Sequence, residues 1–236
     1  MDVNEVRSIG SVEFSVQPLT PECESVWESR QHAVFGVSPG NSYFNVRRIA
    51  QILGWLRSEF RQIDVVIPDN SLHYTFRALG YDAQKAAKKA RAETNVLKNR
   101  VHRAWQEIGG PRANDGLHGI SQLSTNATYL NSVGHCAREI SLDPVLREAS
   151  ETMTKEILAS KGLAGRPSDE QISLAEKYLI AELPFFISSS KIFDVGPSLN
   201  FYHQPLPLAN AIFSGKTSLK PDRGQGYATI NSAGIS

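Results

Sequence analysis

The stretch HAVFGVSPGNSYF, residues 32–44, changes character at its middle. Its first half is apolar enough for a buried strand, whereas its second half collects the Ser, Pro, Gly and Asn residues that dominate turns. A second apolar run, DVVIP at 64–68, follows a segment at 46–60 whose apolar residues recur at helical spacing. Strand, helix and strand in this order predict a parallel pair with a crossover helix, and therefore an α/β fold.

The composition limits the class of protein. With 236 residues, of which 41% are hydrophobic, the chain can bury one sizeable core, so we predict a single domain over residues 1–236. The segments at about 1–28 and 216–236 are expected to be peripheral or loosely ordered. The formal net charge is only +1, so a nucleic-acid contact requires a local basic patch.

Targeting and metal-binding patterns are also absent from the sequence. No run approaches the ~18 apolar residues of a membrane span, and residues 1–10 lack the basic-then-apolar order of a secretory signal. Cys23 and Cys136 stand in no metal or redox spacing. We therefore expect a cytoplasmic protein that binds no metal and does not contact a membrane.

Further elements follow from periodicity and from breaker residues. They are a long polar helix at 81–108, helices at about 143–161 and 169–187, and a returning strand at 198–203. Ser168 followed three residues later by Gln171 is the capping-box pattern that opens a helix. This order of elements agrees with the α/β class.

The serine in the first stretch lies in a G-x-S-x-G pattern formed by Gly36, Ser38 and Gly40. In α/β-hydrolases this pattern holds the nucleophile, and the residue after the serine donates its backbone N–H to the oxyanion hole. That residue here is Pro39, which has no N–H to donate. A plain turn after a strand and a serine nucleophile therefore both stay open.

The stretch YLIAELPFF, residues 178–186, places a carboxylate beside a buried helix face. Tyr178 and Glu182 are four residues apart and share that face. Pro184 ends or kinks the helix, so Glu182 lies near a C-terminal turn whose dipole favours a cation. A substrate ammonium would satisfy the carboxylate, and the alternative is an ordinary ion pair with Lys177 or an arginine elsewhere.

These two stretches, together with FYH at 201–203, resemble the cyclodipeptide synthases over about His32 to about Tyr227. Both signatures of that family are intact, one around Ser38 and one of the form Y-x-x-x-E-x-P. Family members join the amino acids of two aminoacyl-tRNAs into a diketopiperazine. The resemblance implies a single Rossmann-like α/β domain with a central mostly parallel sheet flanked by helices, similar to the catalytic domains of class I aminoacyl-tRNA synthetases.

The resemblance also implies roles for individual residues. Ser38 would accept the first aminoacyl group as an ester in a ping-pong mechanism, and Glu182 would hold the substrate α-amino group. Tyr178 would help to position the amine and relay protons, and Tyr202 would take part in positioning and cyclisation. The residues implied for positioning the substrate are Gly36, Asn41 and His203. The subgroup named for its Asn, Tyr and His is matched by Asn41, Tyr202 and His203.

The same resemblance implies substrates, partners and a first pocket. The partners would be two aminoacyl-tRNAs and no DNA, the protein would be a monomer, and no cofactor is expected because the amino acids arrive as activated esters. The residues implied to line the first aminoacyl pocket are Val34, Val66, Phe185 and Asn200. A buried amide beside an aromatic ring favours a first side chain that can hydrogen-bond or stack, such as His or Tyr.

The polar helix at 81–108 is the expected site for tRNA. At ~100° per residue, Lys85, Lys89, Arg100 and Arg103 fall within a sector of roughly 60°, a stripe suited to phosphates. Lys98 on the same helix is also expected to bind tRNA. A solvated charged face is the alternative. Two other functions stay open, a serine hydrolase of the G-x-S-x-G type and a non-catalytic tRNA-binding module.

Overall fold

The computed structural model describes residues 14–232, which contain a six-stranded sheet. The strands are β1 (Phe14–Pro18), β2 (His32–Gly36), β3 (Gln62–Ile67), β4 (Gly116–Gly119), β5 (Ser198–Tyr202) and β6 (Gln225–Ser232). Their order is β1-β6-β5-β2-β3-β4, and only the β1–β6 pair is antiparallel. The predicted α/β class with a mostly parallel sheet is confirmed.

Helices flank this sheet. They are α1 (Pro21–Ser29), α2 (Val46–Glu59), α3 (Leu72–Ala78), α4 (Ala83–Glu107), α5 (Ala127–Leu142), α6 (Pro144–Ser160), α7 (Asp169–Glu182), α8 (Pro184–Ile187), α9 (Ser189–Ile192) and α10 (Pro207–Phe213). A short 3-10 helix covers Ile120–Leu123. None of the helices between residues 14 and 232 combines the length and apolar character that a membrane crossing requires.

The strand–helix–strand unit around the opening stretch forms as predicted. α2 begins after Asn45, whose side-chain oxygen accepts a 3.0 Å hydrogen bond from the backbone N–H of Arg48. Ile49, Leu53 and Leu56 on one face of α2 are fully buried. β2 and β3 then pair in parallel, so the turn after β2 opens at the carboxyl edge of the sheet.

α7 begins with the predicted capping box but is shorter than predicted. The Ser168 and Gln171 side chains bond reciprocally to backbone N–H groups at the first turn. The helix ends at Glu182, and α8 starts separately at Pro184 because proline cannot donate the hydrogen bond that would continue the helix. Glu182 is therefore the last residue of α7, and its side chain lies at the interruption between α7 and α8.

The expectation that 216–236 is peripheral or loosely ordered does not hold for β6, which is an inner strand between β1 and β5. In the other segment, 1–28, β1 is the edge strand of the sheet and is followed by most of α1. Tyr227 and Ile230 are fully buried. Residues 225–230 are buried on both faces of the strand, so no apolar–polar alternation marks this strand in the sequence. Residues 1–13 and 233–236 lie outside the described residues.

Candidate active site

The carboxyl ends of β2 and β5 define the site. From β2 the sheet grows through β3 to β4 on one side and through β5 to β6 on the other, so a crevice opens where the strand order reverses. A cavity of about 440 Å³ occupies this crevice. The loop after β2, the end of β5 and the last turns of α7 all contribute side chains to its wall.

Ser38 lies on the loop after β2 and lines the cavity. Its Oγ is 2.9 Å from the hydroxyl of Tyr202 at the end of β5. Within residues 14–232, positive φ at non-glycine residues occurs only at Arg30 and Asp194, so Ser38 does not adopt a strained left-handed backbone. The serine is held by a tyrosine rather than by a histidine, which disfavours the hydrolase alternative.

Tyr178 and Glu182 meet in the same cavity, as their helical spacing predicts. The Tyr178 hydroxyl donates a 3.4 Å hydrogen bond to Glu182 Oε1. Burial raises the pKa of Glu182 to about 8, and the bond from Tyr178 only partly offsets this. Among the described residues, Glu182 takes part in no ion pair. In the empty cavity the side chain is therefore mostly protonated near neutral pH, and a cation that enters the cavity would stabilise its ionised form.

The two tyrosines are held in their neutral form. Burial raises the pKa of Tyr202 to about 12, although the hydrogen bond with Ser38 opposes the rise. Burial, with Glu182 and Tyr202 nearby, also raises the pKa of Tyr178 well above its usual value. Both hydroxyls therefore donate and accept hydrogen bonds at neutral pH without becoming anions.

The three residues expected to position the substrate occupy different places. Gly36 and Asn41 line the cavity, and Asn41 Oδ1 also accepts a 2.9 Å bond from the Tyr43 N–H. His203 is not among the lining residues, because its ring stacks on Tyr43 at 4.2 Å between centroids. Burial lowers the pKa of His203 to about 4, so the ring is neutral and contributes as a packed aromatic group.

The four residues predicted for the first aminoacyl pocket all line the cavity: Val34, Val66, Phe185 and Asn200. Asn200 is almost fully buried, and its Nδ2 donates a 3.0 Å bond to the carbonyl of Phe185. Within residues 14–232 no protein group donates to Asn200 Oδ1. This oxygen is therefore available to accept a bond from a molecule in the cavity.

The opposite wall of the cavity was missed by sequence reasoning. It is formed by the end of α6 and the segment before and in α10, and its residues include Met153, Glu156, Ile157, Lys161, Leu206 and Leu208. These residues carry no local motif, and they meet the other wall only through packing of α6 and α10 onto the sheet. Of them, Lys161 also donates a hydrogen bond to the carbonyl of Pro39, in the loop that carries Ser38.

A second serine, Ser198 at the start of β5, belongs to a buried polar chain. Ser198 Oγ is 2.8 Å from His32 Nδ1, and His32 Nε2 is 2.9 Å from Asp64 Oδ2. The other oxygen of Asp64 is 2.8 Å from His118 Nε2. Burial alone would raise the pKa of Asp64, but the hydrogen bonds from both histidines outweigh it and hold the pKa below its usual range. None of the four residues lines the cavity.

The basic stripe of α4 is only partly as predicted. Lys85, Lys89 and Arg103 are exposed. Arg100 is half-buried, and its guanidinium donates a 3.2 Å bond to the carbonyl of Phe44 in the serine loop. Lys98, which is also expected to bind tRNA, pairs at 2.7 Å with Asp69 and lies on the opposite side of the helix from the stripe, so its role in tRNA binding stays a prediction.

The fold and the cavity define an α/β protein that brings a serine, two tyrosines and a buried glutamate together at the carboxyl edge of its sheet. Comparison with known proteins identifies its family: the family model for cyclodipeptide synthases matches residues 14–232. The chain belongs to the cyclodipeptide synthase family and is an enzyme that makes cyclodipeptides.

Relatives and solved structures agree with this assignment. A cyclo(L-leucyl-L-leucyl) synthase from Bacillus subtilis (strain 168) is 31% identical over 229 residues, covering 93% of this chain and 90% of the relative. A solved structure from Mycobacterium tuberculosis, described as showing that these enzymes are related to type I tRNA synthetases, is 28% identical with a TM-score of 0.81, covering 96% and 98% of the two chains. The predicted relation to class I synthetase domains is confirmed.

A more distant solved structure shares the fold alone. It is a cyclodipeptide synthase from Candidatus Glomeribacter gigasporarum bound to Phe-tRNAPhe, 15% identical with a TM-score of 0.56, covering 87% of this chain and 88% of that one.

Proposed function

We propose that this enzyme makes a cyclodipeptide from two aminoacyl-tRNAs through an aminoacyl ester on Ser38. The observation that carries the proposal is that Ser38 and Glu182 open into one cavity at the switch point of the sheet. Glu182 would take the α-ammonium of the incoming residue, which brings the neighbouring ester carbonyl to Ser38. The tRNA-bound relative described above supports the same class of substrate.

The first transfer balances without an added base or cofactor. Ser38 Oγ attacks the aminoacyl carbonyl, the bond to the tRNA ribose oxygen breaks, and the serine proton ends on that ribose oxygen. Tyr202, 2.9 Å from Ser38 Oγ, is placed to pass this proton on, because its neutral hydroxyl both accepts and donates. One activated ester replaces another, so the free energy of this step is close to zero.

Two amide bonds then complete the ring. The amine of one residue attacks the ester of the other, and the remaining amine attacks the remaining ester, so that the second tRNA and the Ser38 hydroxyl are released; the first tRNA has already left in the transfer to Ser38. The last step is intramolecular, and such steps reach effective molarities of ~10⁵ M or more. Covalent attachment to Ser38 therefore keeps the first residue near its partner until the ring closes.

We also propose that the first residue carries a hydrogen-bond donor in its side chain, with Tyr and His as candidates. Asn200 Oδ1 offers an acceptor at the wall, and Phe185 offers a ring face. The leucyl side chain named for the Bacillus subtilis relative has no such donor. Replacing Asn200 by Leu should shift the product mixture toward aliphatic residues.

Tyr178, Tyr202, Asn41 and His203 keep the roles that the family resemblance implies, and the Asn-Tyr-His subgroup stays a prediction. His203 is the exception in placement, because it would act on Tyr43 and Tyr202 rather than on substrate. The direct test is to incubate the enzyme with a full set of charged tRNAs and identify diketopiperazines by mass spectrometry. A product containing Tyr or His supports both proposals, and no diketopiperazine from any mixture would contradict the first.

A further inference from the structure

Most internal hydrogen bonds of the loop that carries Ser38 lie in its second half, where the Tyr43 N–H donates to Asn41 Oδ1 and the Phe44 N–H donates to the Asn41 carbonyl. Pro39 cannot donate, and the turn is closed by a 3.4 Å bond from the Asn41 N–H to the Ser38 carbonyl, longer than the usual 2.9–3.0 Å. Gly40 adopts a φ of +73°, a conformation that most residues avoid. The position of the nucleophile must therefore be fixed by groups from outside the loop.

Lys161, directly after α6, supplies such a group. Its ammonium donates a 3.1 Å bond to the carbonyl of Pro39, the residue after the nucleophile. The same ammonium pairs with the carboxylate of Glu93 on α4 at 2.5 Å. The Lys161 side chain is only 15% exposed, so water competes weakly for these bonds.

Gly40 provides the space for this contact. A Cβ atom at Gly40 would overlap the Lys161 ammonium and the Glu93 carboxylate. The three groups are thus packed directly together, and the glycine is required both by its φ and by the approach of the ion pair. Lys161 and Glu93 therefore form a bridge from α6 and α4 to the peptide that follows Ser38.

α4 also contacts the other end of the loop. Arg100 of α4 donates to the Phe44 carbonyl, and Glu93 of the same helix reaches the Pro39 carbonyl only through Lys161. The exposed side of this helix carries the basic stripe. A tRNA that binds the stripe would therefore contact the same helix that carries Glu93 and Arg100.

We propose that Lys161, oriented by Glu93, is a positioning residue that sets the Ser38 hydroxyl for attack. The inference rests on the proposed function, since it concerns the transfer to Ser38. Glu93 already neutralises the Lys161 charge, which argues against a direct role in holding phosphate. A displaced nucleophile slows transfer steeply, because about 1 Å of misplacement costs on the order of 10²-fold in rate.

The test compares Lys161→Met with a matched control on α6, the helix that ends just before Lys161. Lys155 forms an ion pair of similar length, 3.0 Å to Glu151, that does not touch the loop, so Lys155→Met removes a comparable charge pair. Single-turnover formation of the aminoacyl-enzyme, followed by intact mass, should slow by roughly 10- to 100-fold in Lys161→Met and by less than about 2-fold in Lys155→Met. The Kd for tRNA should change by less than about 2-fold in both variants.

Two further variants separate positioning from general stability. Lys161→Arg keeps a cation that can reach both partners, so it should restore the rate to within about 3-fold of wild type. If Glu93 acts only through Lys161, then Lys161→Met/Glu93→Gln should be no slower than Lys161→Met alone. Amide hydrogen exchange of the peptide spanning 36–45 should speed up in Lys161→Met and stay unchanged in Lys155→Met.

The outcomes distinguish this inference from the proposed function. Wild-type enzyme that forms no aminoacyl ester would contradict the proposed function, whereas an unchanged exchange rate of the 36–45 peptide in Lys161→Met would contradict the bridge by itself. If wild type is acylated and Lys161→Met is acylated as fast, positioning is wrong. A weaker tRNA affinity with a shallower salt dependence would reassign Lys161 to tRNA binding.

Discussion

Two serines on the same sheet have opposite surroundings. Ser198 has a histidine and an aspartate in line behind it, with distances of 2.8 and 2.9 Å, but all three side chains are buried and none lines the cavity. Ser38 has no histidine partner, but it opens into a 440 Å³ cavity beside Tyr202 and Glu182. Of these two serines, only Ser38 is accessible to a molecule in the cavity.

The difference is the reason to propose Ser38 rather than Ser198 as the nucleophile, because access and surrounding charge, and not residue types alone, distinguish the two serines. The buried chain of Ser198, His32 and Asp64 satisfies its own hydrogen bonds and links β5, β2 and β3. The Ser38 site instead contains Glu182, whose pKa is raised and which forms no ion pair with any residue in 14–232. Titratable groups perturbed in this way in a cleft are typical of functional sites.

The largest expected effect is at Ser38. Ser38→Ala should lower cyclodipeptide formation by at least about 10³-fold, because the group that carries the ester is gone. The fold should be kept, since only a hydroxyl is lost from the loop, and thermal unfolding checks this. Product yield measured by mass spectrometry decides the outcome, and yield near wild type would remove Ser38 from the mechanism.

Glu182→Gln should have the next largest effect. It keeps the shape of the side chain but loses the charge that meets the α-ammonium, so aminoacylation of Ser38 should fall by roughly 10²-fold, which corresponds to ~3 kcal/mol. The variant should still bind uncharged tRNA with wild-type affinity. An unchanged acylation rate would assign Glu182 to structure alone.

The pH dependence of the pairing between Glu182 and the substrate α-ammonium gives a second test of this role. Below its pKa of about 8 the empty enzyme holds Glu182 protonated, so productive binding of an ammonium is lost as pH falls. Above about 8 the substrate amine loses its own proton. kcat/KM should therefore peak near pH 8 and fall toward pH 6, and Glu182→Gln should remove the acidic limb. A wild-type profile that is flat from pH 6 to 8 would contradict the ion-pair role.

Reversing the exposed charges of α4 should have a smaller effect. Arg100 is unsuitable because it holds the Phe44 carbonyl, so the test uses Lys85→Glu/Arg103→Glu. The KM for aminoacyl-tRNA should rise by about 10-fold and its salt dependence should flatten, since each lost phosphate contact releases one counterion fewer. The control is Arg138→Glu on α5, an exposed arginine outside the stripe. Equal effects from both variants would place the tRNA elsewhere.

The smallest effect on activity is expected at Ser198. Ser198→Ala leaves His32 Nδ1 without its partner in a buried place, so the free energy of unfolding should fall by about 1–3 kcal/mol. kcat/KM at a temperature well below unfolding should stay within about 2-fold of wild type. A large loss of activity with normal stability would show that the buried chain reaches the chemistry.

The sequence was sufficient for the parts of this molecule that depend on local pattern. The turn after β2, the pairing of Tyr178 with Glu182 by helical spacing and the capping box at Ser168 all depend on residues close together in the chain. The four residues expected to line a first aminoacyl pocket came from the family resemblance rather than from spacing, and all four line the cavity.

The parts that depend on contacts distant in sequence were missed. The Gly and Ser residues near the end of the chain predict a loose tail by composition, whereas β6 is a buried inner strand whose Tyr227 packs against Phe186 of α8. Lys161 and Glu93 are 68 residues apart, so no local pattern could show that they meet over Gly40. Lys98 matches a basic helix by composition. Its partner Asp69 follows β3 and comes close to Lys98 only because α4 packs beside that strand, which no local pattern indicates.

The most direct test of the central claim is the mass of the enzyme caught after the first transfer. Wild-type protein mixed with one charged tRNA, quenched in acid within seconds and measured intact, should gain the mass of one aminoacyl group, and peptide mapping should place it on Ser38. Ser198→Ala should gain the same mass, and Ser38→Ala should gain none. An adduct that persists in Ser38→Ala, or no adduct in wild type while cyclodipeptide is still formed, would contradict the account.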